Sequence, residues 1–137
     1  CVSAAAEGLP AEMGAMGIHY IHPGLLGLSP PGTGRVNGNG MNTDFTTPSI
    51  LLYEPQPDGS LQLVGVENLI FQAAWTAAGE DGVPMSGDQP WDVMADMSDT
   101  EGDEAHGFEP HYDLHIWTQR ENPTGVFAPF NPDVTCG

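Results

Sequence analysis

Lysine is absent from this 137-residue chain, and Arg35 and Arg120 are its only strongly basic side chains. Against them stand 19 Asp and Glu, for a formal charge of −17. That imbalance excludes polyanionic partners: nucleic-acid phosphates and anionic membrane surfaces would repel it. Long apolar runs are missing too, and no stretch approaches the roughly 18 apolar residues of a membrane-crossing helix. Cysteine is nearly absent, with one at each end, Cys1 and Cys136. No serine sits in a nucleophile-elbow pattern, so covalent hydrolase chemistry has no sequence support.

What is abundant points to architecture and habitat. The 18 glycines and 13 prolines make the chain rich in loops, while 39% hydrophobic residues suffice for a core. The length suits one compact domain over residues 1–137. A uniformly acidic surface repels itself at low ionic strength, and concentrated salt removes that penalty by shortening the Debye length to roughly 3 Å at 1 M. The expectation is therefore a salt-adapted protein, with an acidic cation-holding protein as the alternative. A Cys1–Cys136 disulfide would close nearly the whole chain into one loop and implies an exported, extracellular or cell-surface protein. Two other readings of the cysteines stay open: a lipid anchor on Cys1, or free thiols. The N-terminal Cys in place of Met suggests removal of an upstream signal peptide.

Local patterns are mostly β. Ile18–Ile21 reads as a short strand stopped by Pro23-Gly24, after an irregular or briefly helical start. Ile50–Glu54 and Leu61–Glu67 flank an Asp58-Gly59 turn and predict a hairpin, the second strand continuing towards Phe71. Gln72–Ala78 predicts a short helix ended by Gly79, and Asp88-Gln89-Pro90 a brief helix carrying Trp91, Met94 and Met97 on one side. Residues 96–109 read as a solvated acidic loop. His111–Thr118 alternates strictly, as a half-buried strand does, with Tyr112, Leu114 and Ile116 expected towards the core. The fold class that results is mostly β: a small barrel or sandwich with short helical pieces and long Gly/Pro-rich loops.

The chemistry-bearing row lies on that last strand. His111, Asp113 and His115 share one face, and two imidazoles around a carboxylate offer nitrogen and oxygen ligands to zinc or copper. Its ends lie roughly 13 Å apart on an ideal strand, so a site would use part of the row and import ligands, with His19 and Glu67 the obvious imports. The same residues also fit ordinary polar side chains on a wet face, or a buried histidine satisfied by a carboxylate. Met13, Met16, His19 and His22, each three residues apart, form a weaker copper-like series. The acidic run 96–104 invites calcium, yet it lacks the EF-hand glycine, since counting from Asp96 or from Asp99 position six is Glu101 or Glu104; an irregular calcium site stays open there, though a hydrated acidic surface explains the same residues. Pro30–Val36 imitates a phosphate-binding loop but has Arg35 and Val36 where Lys and Ser/Thr are required. Glu54 and Glu67 could pair as acid and base, with nothing in the spacing to bring them together.

The segments Met16-Gly17-Ile18-His19-Tyr20, Leu52-Tyr53-Glu54-Pro55, Val64-Gly65-Val66-Glu67 and Tyr112–Trp117 resemble those of a group of uncharacterised exported bacterial proteins. So do Glu121–Gly125 and Phe130–Val134 leading to Cys136. The resemblance implies no activity. It does imply that His19, Glu67 and His115 weigh more than His22, His106 or His111, and that residues 96–109 are a lineage-specific insertion. The leading expectation is a non-enzymatic metal-binding protein using His19, Glu67 and His115, with His111 and Asp113 nearby. The alternative is an extracellular assembly subunit that self-associates at high salt, and a metal-dependent enzyme would further require an open coordination position facing a pocket.

Overall fold

The computed structural model describes residues 1–30 and 34–137, so the centre of the phosphate-loop-like stretch, 31–33, lies outside the described residues. The chain is mostly β, built on a six-stranded sheet curled into a half-barrel. In chain order the elements are β1 (Val2–Ser3), β2 (Ala15–Ile21), α1 (Pro23–Leu26), β3 (Ile50–Pro55), β4 (Leu61–Phe71) and α2 (Gln72–Ala77). They continue with β5 (Met85–Ser86), β6 (Gln89–Pro90), β7 (Asp92–Met94) and β8 (His111–Ile116). The large sheet runs β1-β2-β3-β4-β8-β7, and every recorded pairing in it is antiparallel.

The β3–β4 hairpin forms where its alternating apolar runs and Asp-Gly turn place it, and β4 does continue to Phe71. A register shift between Leu52 and Tyr53 bends this hairpin, as a bulge does by leaving one residue unpaired. β2 starts earlier than the Ile18 expected from β-propensity, at Ala15, and Gly17 explains how. It has φ +95°, and a Cβ there would sit 2.7 Å from the Tyr53 carbonyl oxygen. A glycine therefore lets β2 lie against β3 where any side chain would hold it off.

Both faces of the sheet are covered, which is why β4 is buried continuously from Val64 to Phe71. The concave face packs Ile50, Leu52, Leu69, Phe71 and Trp117 with Leu26 and Val134. Across the convex face Ile70, Leu114 and Trp91 pack with Trp75, Tyr112 and Phe127. Tyr112 and Leu114 thus meet apolar neighbours as their pattern predicts. On the opposite face of β8 the wet-face alternative fails: His111, Asp113 and His115 are all at most 3% exposed. Curling of the sheet encloses them.

A correction concerns residues 88–97. Asp88-Gln89-Pro90 caps no helix; Gly87 (φ +61°) and Asp88 form the turn between β5 and β6, and β7 then pairs with β8. Two-residue Gly-Asp loops suit hairpins because glycine takes the positive φ that the turn demands. The termini are tied by the Cys1–Cys136 disulfide, with Cα atoms 5.7 Å apart. In the chain-entropy view a crosslink over so long a loop contributes about 4–5 kcal/mol. No helix among the described residues is long and apolar enough to cross a membrane.

Candidate metal centre

Three strand residues that are distant in sequence converge on the concave face. Glu67 on β4 stands directly opposite His115 on β8 in the antiparallel register. His19 on β2 stands opposite Leu52 on β3, which in turn faces Gly65 on β4. From β2 to β8 is three inter-strand steps, about 14 Å in a flat sheet. The curl reduces this so far that the His19 and His115 rings lie 6.0 Å apart, edge to face. Gly65 contributes by letting β4 lie close against β8, since a Cβ at that position would lie 2.9 Å from the Ile116 carbonyl oxygen.

Glu67 Oε2 lies 3.2 Å from His19 Nε2 and 3.4 Å from His115 Nε2. One donor atom from each residue falls within 4.8 Å of the other two. Tetrahedral zinc with bonds near 2.0–2.1 Å has ligand–ligand edges of about 3.3–3.4 Å. Two edges of the observed triangle therefore already have the right length, and the third needs at most a modest closure.

The contacts are close but poorly aligned for hydrogen bonding. Glu67 Oε2 and both ring nitrogens of His115 are buried with no hydrogen-bond partner among the described residues. Buried polar atoms are normally satisfied, each orphan costing about 1–3 kcal/mol, so three in one cluster mark a site arranged for something other than packing. Burial pushes the His19 imidazole down, but the Glu67 charge, with Asp113 and the Gly17 carbonyl, overrides it and leaves the imidazole above its ordinary value. Burial likewise pushes the Glu67 carboxyl up, and the neighbouring imidazoles outweigh it, holding the carboxyl below its usual range. The donor set of two imidazoles and one carboxylate suits zinc or copper better than calcium, which takes oxygen.

His111 and Asp113 lie outside this group of donor atoms and form a contact of their own, His111 Nε2 to Asp113 Oδ2 at 3.8 Å. His111 Nδ1 is 2.9 Å from the Glu109 carbonyl oxygen, to which it donates. Burial lowers the His111 imidazole, but Asp113 raises it above its ordinary value. Asp113 Oδ1 is buried without a partner. Opposite Asp113 on β7 stands Asp92, whose carboxyl is pushed up by burial and then by the Asp113 charge. Sequence reasoning missed Asp92, because its role depends on a β7–β8 pairing hidden by the helix reading.

Between the two groups lies a cavity of about 260 Å³. His19, Glu67, His111 and Asp113 line one side of it, and Ile18, Ile50, Leu69 and Phe108 supply apolar wall. His106 reaches it from the acidic loop, held by a 3.3 Å contact from its Nδ1 to Glu7. The loop itself is pinned by Arg35, which donates to Asp96, Asp103 and the Phe108 carbonyl.

The other sequence candidates resolve differently. His22 caps α1, accepting the Leu25 N–H at its Nδ1, and Met13 is exposed, so the Met/His series does not converge as a copper site. Glu54 is occupied by Arg120 and the Thr135 amide, and it pairs opposite Gln62, well along the hairpin from Glu67. In the acidic loop Asp103 accepts from Arg35 and two backbone amides, and Glu104 from Met97 and Thr100. The His19–Glu67–His115 cluster is the one metal-compatible group found among the described residues. Comparison with family models, with curated proteins and with solved structures finds no match to this chain.

Proposed function

We propose that this chain is an exported, salt-adapted protein that binds one divalent ion, zinc or copper, through His19, Glu67 and His115. The observation that carries the reading is the buried convergence of three donor atoms within 4.8 Å, at the expense of their hydrogen bonds. An ion bound there would satisfy every one of these orphaned atoms except His115 Nδ1. Three protein ligands leave a fourth position, the arrangement of zinc sites that accept an exchangeable ligand. His111 and Asp113 are neighbours of the ion in this reading, placed to orient what it binds. Export is supported by the Cys1–Cys136 disulfide, which persists in oxidising compartments. Salt adaptation is supported by the charge of −17 without a single lysine. Elemental analysis of protein purified without a histidine tag is the test: about one zinc or copper per chain is expected, and none for His115→Ala. Wild-type protein that takes up neither metal contradicts the proposal.

A further inference from the structure

The cavity beside the triad has a composition that selects its occupant. Its walls are largely apolar, and Asp113 leaves a buried acceptor unsatisfied in it. Asp113 is 3% exposed and its Oδ1 has no hydrogen-bond partner among the described residues. His106 Nδ1 lies 3.3 Å from the Glu7 carboxylate, and its Nε2 is buried and unpartnered among the described residues. A molecule bound here must bring hydrogen-bond donors. It must also avoid negative charge, because Glu67 and Asp113 already line the same space.

Resting on the metal reading above, we infer that the cavity binds a small uncharged molecule with a compact apolar body, whose head gives a lone pair to the ion and an N–H or O–H to Asp113. Azoles, oximes and short alcohols belong to this class; carboxylates and phosphates do not. Metal coordination anchors the head, and Asp113 distinguishes a head that carries a proton from one that does not. A site built to receive a hydrogen bond rejects an analogue lacking the donor, because the buried acceptor is then left unpaired. The volume, about 260 Å³, suits a small molecule.

Two isomers test this directly. 4-Methylimidazole and 1-methylimidazole have the same atoms and both coordinate metals, but only the first retains an N–H. Each is titrated into the cobalt(II)-loaded full chain at about pH 8, with affinities referred to the neutral form of each ring, and followed by the visible cobalt bands. The expected result is binding of 4-methylimidazole about tenfold or more tighter than its isomer, with acetate weaker than either. In Asp113→Leu, cobalt is retained and the preference disappears; if that variant does not fold, Asp113→Asn should cut the preference to a few-fold. Equal affinities of the isomers, or acetate binding tightest, would overturn the inference while leaving the metal site intact. Failure of cobalt, zinc and copper alike to bind would remove both readings.

Discussion

Replacing Glu67 and His115 together by apolar residues of similar volume, Glu67→Met with His115→Leu, separates a ligand site from a structural polar core. Glu67 is 2% and His115 1% exposed, so both have given up their hydration. What the contacts between them return comes from charge and not from hydrogen bonding: the 3.4 Å approach is misaligned, and three of their polar atoms have no hydrogen-bond partner. Exchange of a buried charged pair for well-packed apolar side chains is typically neutral or stabilising by about 1–4 kcal/mol. The double variant should therefore be at least as stable as wild type in chelator, each kcal/mol appearing as about 4 °C in Tm for a domain of this size. Added zinc should reverse the order. At a hundred times its Kd, zinc would stabilise the wild type by about 2.7 kcal/mol and leave the variant unchanged. Urea unfolding in chelator and in zinc measures both terms. A variant that loses more than about 2 kcal/mol in chelator would refute the reasoning, because the cluster would then be holding the fold together by itself.

The metal-free and metal-loaded proteins should also differ in pH dependence. The raised His19 contributes stability that is complete below its ordinary value of about 6.5 and is lost as pH rises through its folded value; the lowered Glu67 contributes above about 4.5 and is lost as pH falls. The metal-free optimum should lie between these, whereas zinc affinity should climb with pH past 6.5 as protons leave His19, a pattern that calorimetry at several pH values would detect or exclude. Gly65→Ala places a Cβ 2.9 Å from the Ile116 carbonyl oxygen and 3.3 Å from Leu52, so it should cost about 1–3 kcal/mol and weaken zinc binding by prising β4 from β8; unchanged affinity would show that the site tolerates a flatter sheet. Thermal unfolding should move upward between about 0.1 M and 2 M sodium chloride as screening relieves self-repulsion, and a flat response would count against salt adaptation.

Much of the framework was legible because it rests on local rules. The β3–β4 hairpin follows from two apolar runs around Asp58-Gly59, and β8 from the alternation between His111 and Thr118. What alternation does not specify is which face is enclosed. In β8 the apolar side chains were expected inside, with the histidine face left open between water, burial and a metal; both faces are covered, because the sheet curls over its histidine side while loops pack the other. The curl is accompanied by features spread along the chain, such as the close approaches at Gly17 and Gly65 and the bulge near Leu52. The β5–β6 hairpin had a readable signal in Gly87-Asp88, outweighed by the helix-cap look of Asp88-Gln89-Pro90. Missing it hid β7, and with it the place of Asp92 beside Asp113. His19 and Glu67 were candidates on residue type and resemblance; their meeting with His115 is a property of topology, which no spacing in the sequence encodes.

Crystals soaked in zinc and measured on both sides of its absorption edge address the central claim most directly. The account requires an anomalous peak about 2.0–2.2 Å from His19 Nε2, His115 Nε2 and a Glu67 oxygen, on the side facing the cavity. A strongest peak in the acidic loop, or none near these three residues, would contradict it.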